Sequence, residues 1–149
     1  MITGEYKQAF KNATLLSDFG FTGEKNHFFT ELVKDFKFTD DSSGELLIIS
    51  QNVSDDKYLK KYKIISNLVE YDKSVLENSI NYSYVNEDTF FGFNTNVYET
   101  LNVENNDKYE YIYPEIFFHK NLLNDEKFGF LDIQSSYKAR KYETNKYSS

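Results

Sequence analysis

The sequence contains no cysteine and no tryptophan, a single proline and six glycines. Without cysteine the chain has neither a disulfide framework nor a thiolate that could act as nucleophile or metal ligand. So little proline and glycine, together with 40% hydrophobic residues, excludes a disordered low-complexity segment. At 149 residues the chain is long enough for one domain with its own core.

Basic residues are also scarce, since 17 Lys and Arg are set against 24 Asp and Glu for a formal charge of −7. Nucleic-acid-binding proteins present a basic stripe, so we expect no nucleic-acid partner. Long apolar runs are missing as well: the longest is Leu46–Ile49, far below the ~18–20 residues of a membrane-spanning helix. The N-terminus, MITGEYKQAFKN, lacks the basic and apolar regions of a signal peptide.

Aromatic residues are abundant, with 14 Phe and 13 Tyr interleaved among polar residues. In residues 79–97 apolar and polar side chains alternate on both sides of the break Asn86-Glu87-Asp88. Alternation with a period of two, interrupted by polar turns, indicates antiparallel hairpins. The whole chain follows this pattern and predicts about eight strands, at Thr3–Phe10, Ala13–Thr22, His27–Thr39, Glu45–Val53, Val75–Val85, Thr89–Leu101, Tyr109–His119 and Phe128–Tyr142.

Some segments fit this pattern less well. Residues 54–74 are irregular and are interpreted as a short element followed by an extended stretch. Residues 28–36 also match a helical stripe, although the neighbouring strands favour a strand there. Pro114 predicts a bulge or a strand end, because proline cannot donate to the ladder. Turns or loops are predicted at 102–108 and at Leu122–Lys127.

No enzyme or metal signature is present in the sequence. His27 and His119 are far apart and lack ligand partners at zinc-site spacing. The DDSSGE stretch at 40–45 lacks the alternating acids and distal Glu of a calcium loop. The acidic residues Asp55, Asp56, Glu70 and Asp72 are interpreted as solvated charges. We therefore expect no catalytic residue, cofactor or metal, and a protein that is not an enzyme.

The polar positions of the clearest strands distinguish a soluble sheet from a membrane barrel. These positions carry small neutral residues rather than the Lys and Glu of a soluble surface, as expected on a hydrated barrel wall. Aromatic residues near strand ends are typical of the interfacial girdles of such barrels. The pattern predicts that Ser79, Asn81, Ser83, Asn94 and Asn96 face a lumen, and that Ile80, Tyr82, Tyr84, Phe91, Phe93 and Val97 face lipid.

Several segments then resemble one known family. SDDKYLKKY at 54–62 is similar to its Ser-Asp-x-x-Tyr-Leu-Arg-x-Tyr signature, with Lys60 where arginine is usual. In serial order over nearly the whole chain, the sequence resembles the C-terminal barrel domain of the LptD family, also called organic solvent tolerance proteins. The segments that carry this resemblance are 5–12, 51–64, 74–101, 106–116 and 126–147.

This resemblance implies a function in the outer membrane of a Gram-negative bacterium. LptD-family proteins are large antiparallel barrels that insert lipopolysaccharide into the outer leaflet through a gate between their first and last strands. The implied partners are lipopolysaccharide, outer-membrane lipids, the lipoprotein LptE and a periplasmic lipopolysaccharide-bridge protein, which docks on an N-terminal jelly-roll domain. The family's cysteines are absent here, and no gate residue is carried over.

Residues 1–149 are accordingly expected to form one partial β-barrel domain, without signal peptide or jelly-roll domain. The expected fold is all-β, with consecutive antiparallel hairpins that form part of a large outer-membrane β-barrel and leave an open, curled sheet in isolation. Two alternatives remain open. One is a self-contained small outer-membrane barrel, and the other is a soluble β-sandwich that binds carbohydrate on tyrosine platforms.

Overall fold

Eight β-strands and one short helix make up the parts of the chain that the computed structural model describes, residues 1–101 and 108–142. Every predicted run contains a strand, and most bounds agree within three residues. The elements are β1 Ile2–Phe10, β2 Ala13–Thr22, β3 Lys25–Lys37, β4 Ser42–Val53, α1 Tyr58–Tyr62, β5 Val75–Asn86, β6 Thr89–Thr100, β7 Tyr109–Asp125 and β8 Gly129–Tyr142.

The strands form a single sheet in the order β1-β2-β3-β4-β5-β6-β7-β8, and each neighbouring pair is antiparallel. β1 and β8 do not pair with each other, so the described sheet is open and has two free edges. The predicted all-β fold of consecutive hairpins in an open sheet is confirmed. A sandwich of two packed layers and a closed small barrel do not occur in the described strands.

Local side-chain hydrogen bonds explain where two of the hairpins turn. The side-chain oxygen of Asn86 accepts from the backbone N–H groups of Asp88 and Thr89, at 3.1 and 2.7 Å. The Asp125 carboxylate accepts in the same way from Lys127 and Phe128. Asn and Asp favour turns because they can satisfy backbone donors two or three residues ahead. These bonds end β5 and β7 and start the return strands.

The helical alternative for residues 28–36 is excluded by strand pairing. In β3, Phe28 pairs with Phe19 of β2 and with Asn52 of β4, so hydrogen-bond ladders flank this strand on both sides. The helical spacing of its apolar residues arises because both faces of this central strand carry apolar side chains. Tertiary pairing decides between the two patterns here.

The bulge predicted at Pro114 is confirmed. The register of β7 shifts between Ile112 and Glu115 against β8, and between Asn94 and Asn96 against β6. Proline has no N–H to donate, so Tyr113 and Pro114 drop out of both ladders while the strand continues.

The loop predicted at Leu122–Lys127 is wrong for its first four residues. β7 continues to Asp125 because Leu123 pairs with Leu131 and Asn124 pairs with Phe130 across the hairpin. Only Glu126, Lys127 and Phe128 form the turn, which is followed by Gly129 at a positive φ of 90°. The turn predicted at 102–108 lies outside the described residues except for Lys108.

Residues 54–74, called here the inserted segment, connect β4 to β5 and contain α1. The helix ends at Tyr62. The next residue, Lys63, adopts a left-handed conformation with φ 49°, and the N–H of Ile64 bonds the carbonyl of Leu59. The described residues include no helix with the length and apolarity needed to cross a bilayer.

Candidate functional site

The alternating residues of β5 and β6 lie on two opposite faces of the sheet. Directly paired residues of antiparallel strands project to the same face. Tyr82 pairs with Phe93 and Tyr84 with Phe91, and Thr95 pairs with Ile80. This face, called the apolar face, holds all six residues predicted to contact lipid: Ile80, Tyr82, Tyr84, Phe91, Phe93 and Val97.

The opposite face, called the polar face, holds the five residues predicted to line a lumen. Ser79 pairs with Asn96 and Asn81 with Asn94, while Ser83 pairs with Gly92. Ser79 and Asn96 are buried. The grouping of the two sets on opposite faces therefore agrees with the parity of the sequence, while their contact with lipid and lumen remains a prediction. The separation of apolar from polar side chains is incomplete on β4, because the apolar residues Leu47 and Ile49 lie on the polar face.

The apolar face continues across the sheet from β1 to β8 and is widely exposed, although on β2 and β3 it also carries Ser17, Thr30 and Lys34. Following the strand register from β5 in both directions assigns further large side chains to it. Because no element of the described chain packs over them, these side chains keep roughly half of their surface accessible. They include Tyr6 at 50%, Phe21 at 53%, Phe28 at 48%, Ile80 at 43% and Tyr137 at 59%.

Aromatic rings gather at both ends of the apolar face. Near the β3–β4 and β5–β6 turns, Phe36 stacks on Phe38 with ring centroids 5.9 Å apart, and both rings contact tyrosines of β5. Near the start of β7, Tyr111 stacks between Tyr109 and Tyr113 at 6.1 and 5.5 Å. The two clusters lie at opposite ends of the strands.

Much of the buried core lies on the polar face, although Leu76 has the parity of the apolar face, beyond the point where the pairing of β4 with β5 ends. The register connects Ser79 to Ile49 and Ile49 to Glu31, which places Phe29 and His27 on the polar face. The inserted segment folds over this region and contributes Tyr58, which contacts His27 with ring centroids 5.5 Å apart. The buried cluster consists of Phe29, Tyr58, Leu59, Ile64, Val69, Leu76 and Leu101.

A buried polar pair lies beneath this core. The Nε2 of His27 forms a hydrogen bond with a carboxylate oxygen of Asp18, and the two residues are 1% and 3% exposed. Gly20 makes room for the imidazole, since a Cβ at that position would collide with the His27 ring. His27 Nδ1 and Tyr58 Oη have no hydrogen-bond partner in the described structure. The sequence pattern, from which His27 is only excluded as a zinc ligand, does not indicate this burial.

Ion pairs connect the start of the inserted segment to β3 and to the residue that precedes β7. Asp55 accepts from Lys25 at 2.6 Å, and Asp56 accepts from Lys108 at 3.1 Å. Lys108 also bonds Glu99 at 2.8 Å. The hydrogen bond from Lys25 lowers the pKa of Asp55, and the hydrogen bonds to Glu99 and Asp56 raise that of Lys108. The interpretation of Asp55 and Asp56 as merely solvated charges is therefore incomplete.

No metal-binding cluster occurs within residues 1–101 and 108–142. No three His, Asp or Glu side chains lie close enough together there to hold a metal ion. His119 is partly exposed on β7, with its Nε2 4.0 Å from Asp132.

Comparisons with known proteins identify no relative. No protein-family model matches the chain, and neither the curated proteins nor the solved structures contain a significant match. The two faces and the inserted segment are thus the features from which a function has to be argued.

Proposed function

We propose that this chain forms part of the wall of an outer-membrane β-barrel that inserts lipopolysaccharide into the outer leaflet, in a transport role without catalysis. The observation that carries the barrel assignment is the exposed apolar face, which continues across the sheet and on β5 and β6 lies opposite neutral polar residues. In water such a face would be a large aggregation-prone patch. In a bilayer it is the surface that lipid chains solvate.

Strand length supports the same assignment. β5 and β6 each have 12 residues, which corresponds to ~40 Å of extended chain. Tilted by about 45°, such a strand spans ~28 Å, close to the ~30 Å hydrocarbon thickness. The aromatic clusters at its two ends would then lie at headgroup depth, where amphipathic rings are favoured.

The unpaired edges of β1 and β8 support the proposal that this chain is one piece of a larger barrel. Unpaired edges expose a row of backbone donors and acceptors, which a closed barrel satisfies with further strands. The assignment to lipopolysaccharide transport, with LptE and the periplasmic bridge protein as partners, rests on the LptD-like sequence segments alone.

Single cysteines at positions 80 to 84 test the barrel wall directly, because the chain has no native cysteine. In the full-length protein in the outer membrane, a water-soluble maleimide should label Asn81→Cys and Ser83→Cys. It should leave Ile80→Cys, Tyr82→Cys and Tyr84→Cys unmodified until the membrane is dissolved. Equal labelling at all five positions would contradict the proposal.

The transport role has a separate test. Depletion of the full-length protein should reduce newly made lipopolysaccharide at the cell surface, measured by its accessibility to an added modifying enzyme. A photo-crosslinking residue at Asn94 should capture lipopolysaccharide, and the same residue at Phe93 should capture membrane phospholipid. Normal surface lipopolysaccharide after depletion would refute the transport role while leaving the barrel assignment intact.

A further inference from the structure

Three lysines of the inserted segment lie on the same side of its outer surface. Lys57, Lys60 and Lys61 are exposed and follow the i, i+3, i+4 spacing that places side chains on one side of a helix. The opposite side of the same turn carries Tyr58 and Leu59, which are fully or almost fully buried. The three lysines, called here the lysine face, therefore project away from the sheet.

The lysine face is held in a fixed position. Tyr58 packs against His27 and against Tyr62, with ring centroids 5.5 and 5.2 Å apart, and Leu59 belongs to the buried cluster. The backbone N–H of Ser54 also bonds the carbonyl of Asn26, which joins the segment to the β2–β3 turn. Such a support fixes the backbone beneath the lysines, so that anion binding has to order only their side chains.

The nearest acidic side chains are engaged with other cations. Asp55 pairs with Lys25 and Asp56 pairs with Lys108. None of the three lysines forms a salt bridge within residues 1–101 and 108–142. Lys61 lies over the Tyr62 ring at 5.4 Å and also helps to lower the pKa of Asp55 from a distance. Three cations thus gather without a direct ion pair in the described residues, on a chain whose formal charge is −7.

We propose that the lysine face binds the phosphomonoester group of a lipid at the mouth of the barrel. A phosphomonoester carries a charge of about −1.5 to −2 at neutral pH and three acceptor oxygens, which suit three adjacent ammonium groups. The inserted segment covers the polar face at the strand ends, so an amphiphile arriving there presents its headgroup to these lysines. This inference rests on the proposed function and names the chemical group of its substrate that the chain would hold.

Titration of the chain in non-ionic micelles with water-soluble dioctanoyl phosphatidic acid tests this proposal. Amide NMR shifts should move at Lys57, Lys60 and Lys61 and saturate. The triple variant K57Q/K60Q/K61Q should bind about 100-fold more weakly, taking ~1 kcal/mol for each lysine. The matched control K7Q/K11Q/K120Q removes the same charge from exposed sites elsewhere and should bind as the unchanged chain does.

Two further titrations identify which chemical group the lysine face binds. Dioctanoyl phosphatidylcholine should not shift these amides, and inorganic phosphate should compete only weakly. Equal affinity in the two triple variants, or equal binding of phosphatidylcholine, would overturn the proposal. Inorganic phosphate binding as tightly as the lipid would overturn the lipid source. The cysteine pattern at 80–84 is independent of all of these results, so failure here is distinguishable from failure of the proposed barrel.

Discussion

The strands under the inserted segment and the β7–β8 hairpin differ sharply in burial, although both are antiparallel sheet of the same kind. Beneath the segment, Phe29 and Leu76 have no exposed surface. In β8, all residues from Phe130 to Lys138 are exposed, and both faces of that strand are open. A single-layer sheet cannot bury its own side chains, so burial in this molecule follows the one segment that folds across it.

This contrast shows where the stability of the described chain is concentrated. Hydrophobic stabilisation scales with the apolar area removed from water. The inserted segment supplies Tyr58, Leu59, Ile64 and Val69 to the buried cluster, and the sheet supplies Phe29 and Leu76. The β7–β8 hairpin depends instead on backbone pairing and on the environment that its apolar residues contact. Substitutions of the same type should therefore have unequal effects in the two regions.

The largest difference is expected between the two histidines. His27→Ala removes the partner of the buried Asp18 carboxyl group and leaves a cavity, and it should lower the free energy of unfolding by ~3–5 kcal/mol. His119→Ala, at a partly exposed position of β7, should change it by less than about 0.5 kcal/mol. Urea unfolding of both variants in non-ionic micelles measures the difference. Similar losses in the two variants would contradict the separation of the two regions.

Two leucines of β5 and β8 provide the next comparison. Leu76→Ala should cost about 3 kcal/mol, because the side chain is fully buried and its removal leaves a void. Leu131→Ala, at a residue that is 52% exposed, should cost less than about 1 kcal/mol. The same unfolding measurement applies, and equal costs would show that burial does not set the stability of these strands.

A smaller effect is expected from Gly20→Ala. The added methyl group would collide with the His27 ring, which the core holds in place, and should cost ~1–3 kcal/mol through overpacking. In a His27→Ala background the ring is absent and only the Thr3 methyl group, 3.2 Å from the added Cβ, has to give way, so the same substitution should cost much less. Unfolding of the two single variants and the double variant measures this coupling. Additive effects would show that Gly20 is not required to accommodate the imidazole.

The smallest expected effect is a local loss of stability at acid pH. The Lys25 hydrogen bond lowers the pKa of Asp55 from its usual value of 3.8. The stabilising contribution of Asp55 is therefore complete above about pH 4 and is lost as the pH falls through the lower folded-state pKa. Hydrogen exchange should show residues 54–62 loosening in that acid range. The Asp55→Asn variant should abolish this part of the pH dependence, and Asp72→Asn should leave it unchanged.

The strands were predictable because their signal is local. Three signals each act over only a few residues of the sequence. They are the alternation of aromatic and polar side chains, the presence of Asn86 and Asp125 at turns, and the lack of a backbone N–H at Pro114. The grouping of Ile80 with Phe93 on one face follows from the same period of two. The end of β7 was mispredicted because its pairing with β8, rather than its polarity, decides where that strand stops.

The core was not predictable in this way because its contacts are distant in sequence. His27 meets Asp18 and Tyr58 only after the inserted segment crosses the sheet. Nothing in the spacing of these residues indicates that they meet. The SDDKYLKKY stretch gave one signal, since its tyrosines, leucine and aspartates all anchor the segment. A local motif can thus identify the residues that hold a segment in place without identifying the residues that they contact.

The strand order described for the sheet also bears on how the chain folds. Each strand pairs only with its neighbours in sequence, and short turns separate most of them. Closing a short loop costs little entropy, so successive hairpins can form quickly and independently. The connection between β4 and β5 is the long one within residues 1–101, and its closure joins two four-stranded halves. We expect that joining step, and with it the docking of Tyr58 and Leu59, to limit the folding rate.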